Sequence, residues 1–251
     1  MGEYHDLYLT SDVLLLADVF ESFRKMCLRH YQLDPPHYFT SPGLAWDAML
    51  KMTKIELELM SDVDMFQFIE KGMRGGVSYI ANRYAKANNK YMKNYDDKLE
   101  SIYIPYLDAN NLYGWAMSQP LPYGKFKWLT PDKIELLENA CGVQSTPRST
   151  EECVDQYATD KFGYILEVDL EYPEELHDLH NDYPLAPTKV NTSDLVLSDY
   201  CNKIINKLEL KRGNYEKLTP TLHNKTKYVV HYKNLALYQR LGLKVTKIHR
   251  V

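Results

Sequence analysis

The sequence predicts an α+β chain in which helices come first and strands enter later. Three observations carry this. In the first 72 residues apolar side chains recur at helical spacing, each run opening on a capping residue. Phe162 to Tyr172 alternates instead, with Tyr164, Leu166, Val168 and Leu170 on one face and Glu167, Asp169 and Glu171 on the other. The last residues read as a helix over Tyr228 to Leu241, ended by Gly242, and then a strand over Leu243 to Val251.

Taken in order, the first helix is capped by Ser11 and carries the stripe Val13, Leu16, Ala17, Phe20, Phe23 and Cys27. Ser41-Pro42-Gly43 opens a second helix by the N-cap and N1-proline rule, with Trp46, Met49 and Leu50 inward. A third starts at Ser61, with Asp64 completing a capping box, and stops at Gly72. Ile102 to Leu107 then reads as a strand, which Pro105 assigns to an edge or a bulge. It ends on Asp108, and the turn Ala109-Asn110-Asn111 leads into a short helix from Leu112 to Met117. Ser118 to Gly124 is a turn-rich exit, and Thr130-Pro131 starts a helix through Leu137. Residues 142 to 160 read as a surface loop, and Tyr183 to Pro187 as a rigid extended linker.

A chain of 251 residues can bury a sizeable core, as one large or two modest domains. Its net charge of −4 hides a segmental pattern. Residues 71 to 95 hold six basic side chains (Lys71, Arg74, Arg83, Lys86, Lys90, Lys93) and no acid. From Lys203 to the end, twelve Lys and Arg face only Glu209 and Glu216. Such alternation suits a protein that meets a polyanion with particular surfaces. Four cysteines without a CxxC pairing indicate neither a zinc site nor a disulfide framework, and an intracellular location is expected. The longest purely apolar run, Val13 to Ala17, is far too short to span a membrane.

Two stretches bear on chemistry. Asp108 stands where a strand gives way to a helix, a place from which a carboxylate can hold a metal ion or simply cap the helix. In the basic segment, Tyr79, Tyr84, Tyr91 and Tyr95 interleave with Lys and Arg, so rings can stack on bases while cations follow phosphates. A solvated basic face would read the same way. Gly75-Gly76 either takes positive φ or lets the backbone approach a partner closely. Tyr95-Asp96-Asp97 is a polar turn, and Asp169-Leu170-Glu171 a polar strand face.

Asp108-Ala109-Asn110-Asn111-Leu112-Tyr113 resembles motif A of family B DNA polymerases, in the protein-primed branch of organellar, viral and virus-like transposon (Maverick or Polinton) enzymes. The usual form there is Asp, two variable residues, Ser, Leu, Tyr, Pro; this chain has Asn111 for the Ser and Gly114 for the Pro. Tyr8 and Asp12 resemble the third motif of the family's 3′→5′ exonuclease, and Arg74-Gly75-Gly76 the Tyr-x-Gly-Gly motif that contacts DNA, with Met73 in place of the aromatic residue. Lys227 to Val251 is similar to the stretch preceding the family's second polymerase motif.

The resemblance implies the helical end of a ribonuclease H-like exonuclease domain over 1–72 and the first half of a polymerase palm over 73–251. It implies DNA and deoxynucleoside triphosphates as partners, Mg²⁺ as cofactor, and a terminal primer protein. Asp108 and Asp12 become metal ligands, with Tyr8 helping to position the attacking water of the exonuclease. Ala109, Asn110, Asn111, Leu112 and Tyr113 line the nucleotide, Tyr113 as steric gate against a 2′-hydroxyl. Arg74, Gly75, Gly76, Arg83 and Lys86 contact DNA. The family's later Asp-Thr-Asp and Lys-x-x-x-Asn-Ser-x-Tyr-Gly motifs occur nowhere in the sequence. The expectation is therefore a polymerase fragment that is inactive by itself, the alternative being a remnant that only binds nucleic acid.

Overall fold

A computed structural model describes residues 1–140 and 162–251, so the loop expected over 142–160 lies outside the described residues. The chain forms two compact units, Met1–Leu59 with Tyr123–Lys125, and Met60–Pro122 with Phe126–Val251.

The first unit is helical. α1 spans Gly2–Tyr31, so it starts before Ser11, the expected cap. Inside the helix the Ser11 hydroxyl donates to the Leu7 carbonyl at 2.9 Å, the back-bonding that lets serine sit mid-helix. Of its predicted stripe only Cys27 is buried, because α2 (Ser41–Thr53) packs against α1 without covering the Val13–Phe23 stretch. α2 is capped by Thr40, one residue before the predicted Ser41, and buries Leu44 and Ala48 rather than Trp46, which is 54% exposed. Arg24 ties the turn after α1 by donating from Nε and Nη2 to Asp34, both at 2.8 Å. The Tyr123 carbonyl accepts from the Glu58 N–H at 2.9 Å, which joins Tyr123–Lys125 to this unit.

The second unit is built on an antiparallel sheet with β1 (Ile165–Glu171) between β4 (Lys225–His231) and β5 (Lys244–Arg250). Leu166, Val168 and Leu170 face the core, as their alternation predicts, and meet Tyr228, Val230, Val245 and Ile248. α5 (Pro131–Ala140) and α7 (Tyr232–Arg240) close that core with Leu137 and Leu235. The predicted helix from Tyr228 is shorter than expected, since Tyr228 to His231 belong to β4 and His231 caps α7. Paired to a buried central strand, Val229 and Val230 satisfy their backbone and bury β-branched side chains, which outweighs the helical spacing. β2 (Thr188–Asn191) and β3 (Glu216–Thr219) form a separate two-stranded sheet, with α6 (Asp199–Lys207) between them in sequence.

The opposite face of β1 carries Glu167, only 5% exposed, whose carboxylate accepts from Arg250 Nε and Nη2 at 3.0 and 3.1 Å. The Arg250 guanidinium also lies 5.1 Å from the Phe68 ring and 5.5 Å from Trp128. Phe68 belongs to α3 (Val63–Gly72), capped by Asp62, which accepts from the N–H groups of Asp64 and Met65. α3 packs on β4 so closely that a Cβ on Gly72 would come 3.0 Å from Val229 Cγ1.

The expected strand over Ile102 to Leu107 is not formed. Among the described residues its only pairing is one bridge between Ile102 and Asn88. A strand exists through its partner's hydrogen bonds, and none of the described strands runs beside this stretch. Ile104, Tyr106 and Leu107 are accordingly 57%, 97% and 85% exposed.

Candidate nucleotidyl-transfer segment and nucleic-acid interface

Asp108 lies in the unpaired stretch and is exposed, and no side chain or backbone donor binds its carboxylate among the described residues. It does not cap the helix that follows. That place belongs to Asn111, at φ 53°, which precedes α4 (Leu112–Ser118). Asparagine tolerates the left-handed conformation better than most residues. The Asn111 side chain folds over Gly114, where a Cβ would collide with it. The two departures from the motif A pattern are thus matched: the bulk added at Asn111 occupies the space that Gly114 leaves free. α4 buries none of its residues; the Tyr113 ring is 86% exposed, and Leu112 beside it and Ala109 and Asn110 before the helix are exposed too.

Tyr8 and Asp12 lie one turn apart on the same face of α1, both exposed. The Tyr8 ring stacks on Tyr4, with centroids 6.4 Å apart. Asp12 belongs to the first compact unit and Asp108 to the second. Among the described residues no group of three or more His, Cys, Asp or Glu side chains could hold a metal ion.

Asp169 has a structural part in its strand face. Its Oδ1 accepts from the Lys227 N–H at 2.7 Å and lies 2.9 Å from His249 Nε2. Burial pushes this carboxyl up, but the Lys227 N–H, the His249 ring and the Lys247 charge outweigh it and hold it below the usual range. Asp96, in the expected polar turn, accepts at Oδ1 from the Lys98 N–H at 3.0 Å.

In the basic segment the structure separates Arg74 from the other cations. Arg74 Nη1 donates to the carbonyls of Val229 (2.6 Å) and Gly72 (3.1 Å), and its guanidinium carbon sits 3.8 Å over the Tyr228 ring. Arg83 and Lys86 are exposed, with no ion-pair partner among the described residues. Gly75 and Gly76 do not adopt positive φ, and a Cβ on either would meet nothing within 4 Å. Their own neighbours do not demand glycine. The sequence reading passed over Asn88 and Asn89, which organise the following loop; an Asn-Asn pair inside a basic run is a turn signal that could have drawn notice.

No curated protein and no solved structure matches this chain. A family model described as DNA polymerase type B, organellar and viral, matches residues 5–194. The matched region takes in Tyr8 and Asp12, the Arg74-Gly75-Gly76 stretch and the whole Asp108–Tyr113 segment, and it covers well over half of the chain. The chain therefore belongs to the organellar and viral type B DNA polymerase family.

Proposed function

We propose that this chain carries the first half of a DNA-templated nucleotidyl-transfer site, with the end of a proofreading exonuclease before it. The observation that supports it best is the family match over residues 5–194, which encloses Asp108 to Tyr113. By motif, residues 1–72 are assigned to the exonuclease end and 73–251 to the palm. This division follows motifs rather than packing, since α3 lies on β4.

In this reading Asp108, with the Ala109 carbonyl, is one anchor of a metal pair. Tyr113, together with Asn110, Asn111 and Leu112, lies beneath the incoming nucleotide. Tyr8 and Asp12 belong to the exonuclease site, while Gly75, Gly76, Arg83 and Lys86 follow the DNA backbone and Arg74 holds the segment in place. Bridging two Mg²⁺ ions roughly 4 Å apart takes at least two converging carboxylates, because Mg²⁺ demands near-octahedral oxygen ligands. The described residues do not fit that requirement. Asp108 stands alone and the sequence has no Asp-Thr-Asp motif. In this reading the chain by itself is expected to bind DNA without turnover, and the lack of an Asp-Thr-Asp motif in the sequence also favours the reading as a nucleic-acid-binding remnant.

Primer extension tests both parts. The 251-residue chain is expected to be inactive. A longer chain that adds the Asp-Thr-Asp half is expected to extend a primer and to lose that activity with Asp108→Ala. Extension by the short chain, abolished by Asp108→Ala, would show that another carboxylate completes the site. Activity of the longer chain unaffected by Asp108→Ala would overturn the role of Asp108.

A further inference from the structure

Asn88 and Asn89 close the loop that follows the basic run. Asn88 exchanges backbone hydrogen bonds with Ile102, at 3.0 and 2.7 Å. Its Nδ2 donates to the carbonyls of Asp96 (2.9 Å) and Glu100 (3.0 Å), and its Oδ1 accepts from the Asp96 N–H at 3.0 Å. Asn89 is 8% exposed, donates to the Ile102 carbonyl at 3.2 Å and accepts from the Tyr91 N–H at 3.2 Å. The backbone under Tyr91 is thereby fixed by side-chain bonds, while the Tyr91 ring itself is 79% exposed. The Lys90 ammonium lies 5.2 Å from the centre of that ring.

The chemistry around the ring selects its partner. From Arg83 to Lys93 there are four cations and no carboxylate, and Arg83, Tyr84, Lys86 and Lys93 are all exposed. An apolar protein surface would call for neighbouring aliphatic side chains, whereas the group placed at this ring is the Lys90 ammonium; the carboxylates of the loop, Asp96, Asp97 and Glu100, come later, and Asp96 is turned to the Lys98 N–H. A flat ring held on a rigid base beside cations fits a polyanion with accessible π-faces. Duplex DNA keeps its base faces stacked inside, so the fitting form is a single strand. Because the loop is already ordered, little conformational freedom is lost on binding.

We infer that the loop closed by Asn88 is a stacking platform for single-stranded DNA, in which Tyr91 receives one base and Lys90 and Lys93 take the adjoining phosphates. This rests on the reading above insofar as the partner is DNA, and it moves the strand contact away from Arg74 to a surface about fifteen residues further on.

The test is fluorescence anisotropy of the whole chain with a labelled oligothymidylate, together with photo-crosslinking to the same strand carrying 5-iodouracil. Tyr91→Ala is expected to weaken binding about tenfold, the size of one lost base–ring stack. Tyr91→Phe is expected to keep it, because the ring and not the hydroxyl is used. Lys90→Ala with Lys93→Ala is expected to weaken binding and to flatten its salt dependence. The crosslink is expected at Tyr91. Since that ring is largely exposed, circular dichroism of Tyr91→Ala should match the unaltered chain. If the unaltered chain does not bind the strand at low salt, the DNA-binding reading falls and this inference with it. If it binds, but Tyr91→Ala binds equally well or the crosslink maps elsewhere, the platform alone is overturned.

Discussion

The Arg74 guanidinium stacks 3.8 Å over the Tyr228 ring and donates to the Val229 carbonyl at 2.6 Å, across 155 residues of sequence. This contact anchors the start of the basic segment to β4. A charged donor on a partly buried carbonyl, combined with a cation–π contact, contributes on the order of 1–3 kcal/mol. Arg74→Ala is expected to lower the urea midpoint by a corresponding amount, with Arg74→Lys recovering only part of it. An unchanged midpoint would show that the contact contributes nothing.

DNA binding by the remaining cations has a defined salt dependence. If about three of them meet phosphates of a single strand, the slope of log K against log salt is roughly −2. Raising salt from about 50 to 200 mM then weakens binding on the order of fifteen-fold. Arg83→Ala with Lys86→Ala should reduce that slope by about one or more. Anisotropy across a salt series measures it, and a flat series would refute phosphate contact.

Stability should respond to acid through the Glu167 and Asp169 pair of sites. Burial raises the Glu167 carboxyl, but Arg250 bound to both its oxygens outweighs this and leaves it lowered; Asp169 is lowered as well. A carboxyl lowered in the folded state stabilises above its unfolded value, about 4, and loses that contribution as pH falls through the folded value. The urea midpoint is expected to hold above about pH 5 and to drop steadily below 4. Glu167→Gln should lower the midpoint at pH 7 and shrink the acid-dependent part.

Lys225 acts with the same sign in a higher pH window, although its burial lowers rather than adds stability. It is 3% exposed, its ammonium donates to the Thr221 carbonyl (2.9 Å) and hydroxyl (2.6 Å), and burial pushes it down to about 8. Between that value and its ordinary value of 10.5 the unfolded chain holds the extra proton, so stability rises with pH across this window. Lys225→Met fills nearly the same volume without the charge. It is expected to remove the rise between pH 8 and 10.5, read from urea midpoints, and persistence of the rise would assign it to another group.

Tyr113 lies five residues after Asp108 and is free of internal packing at 86% exposed. In a longer, active chain Tyr113→Val is expected to admit ribonucleotides more readily while deoxynucleotide use stays largely intact. The ring's removal opens space beside the 2′ carbon and touches no carboxylate. Primer extension with both sugars measures it; unchanged discrimination would exclude the gate.

Local chemistry was legible in the sequence because its causes are local. The start of α3 within a residue or two (Ser61 is the expected cap, and Asp62 takes that place), Pro131 opening α5, the alternation of β1 and the Gly242 stop before β5 each depend on neighbours within a few residues. The motif from Asp108 to Tyr113 is likewise a property of adjacent residues, and the family could be read from it. Only tertiary structure decided what depends on distant partners. Ile102 to Leu107 has strand composition but, among the described residues, pairs only at Ile102, since backbone groups need a neighbouring strand to bond. Tyr228 to His231 has helical spacing but becomes β4, because β1 offers both hydrogen bonds and a buried face. Arg74 looks like any other cation of the basic run until β4 brings the Val229 carbonyl and the Tyr228 ring beneath it. Spacing along the chain reports which side chains share a face, whereas the acceptor a guanidinium finds depends on which strand the fold lays beside it.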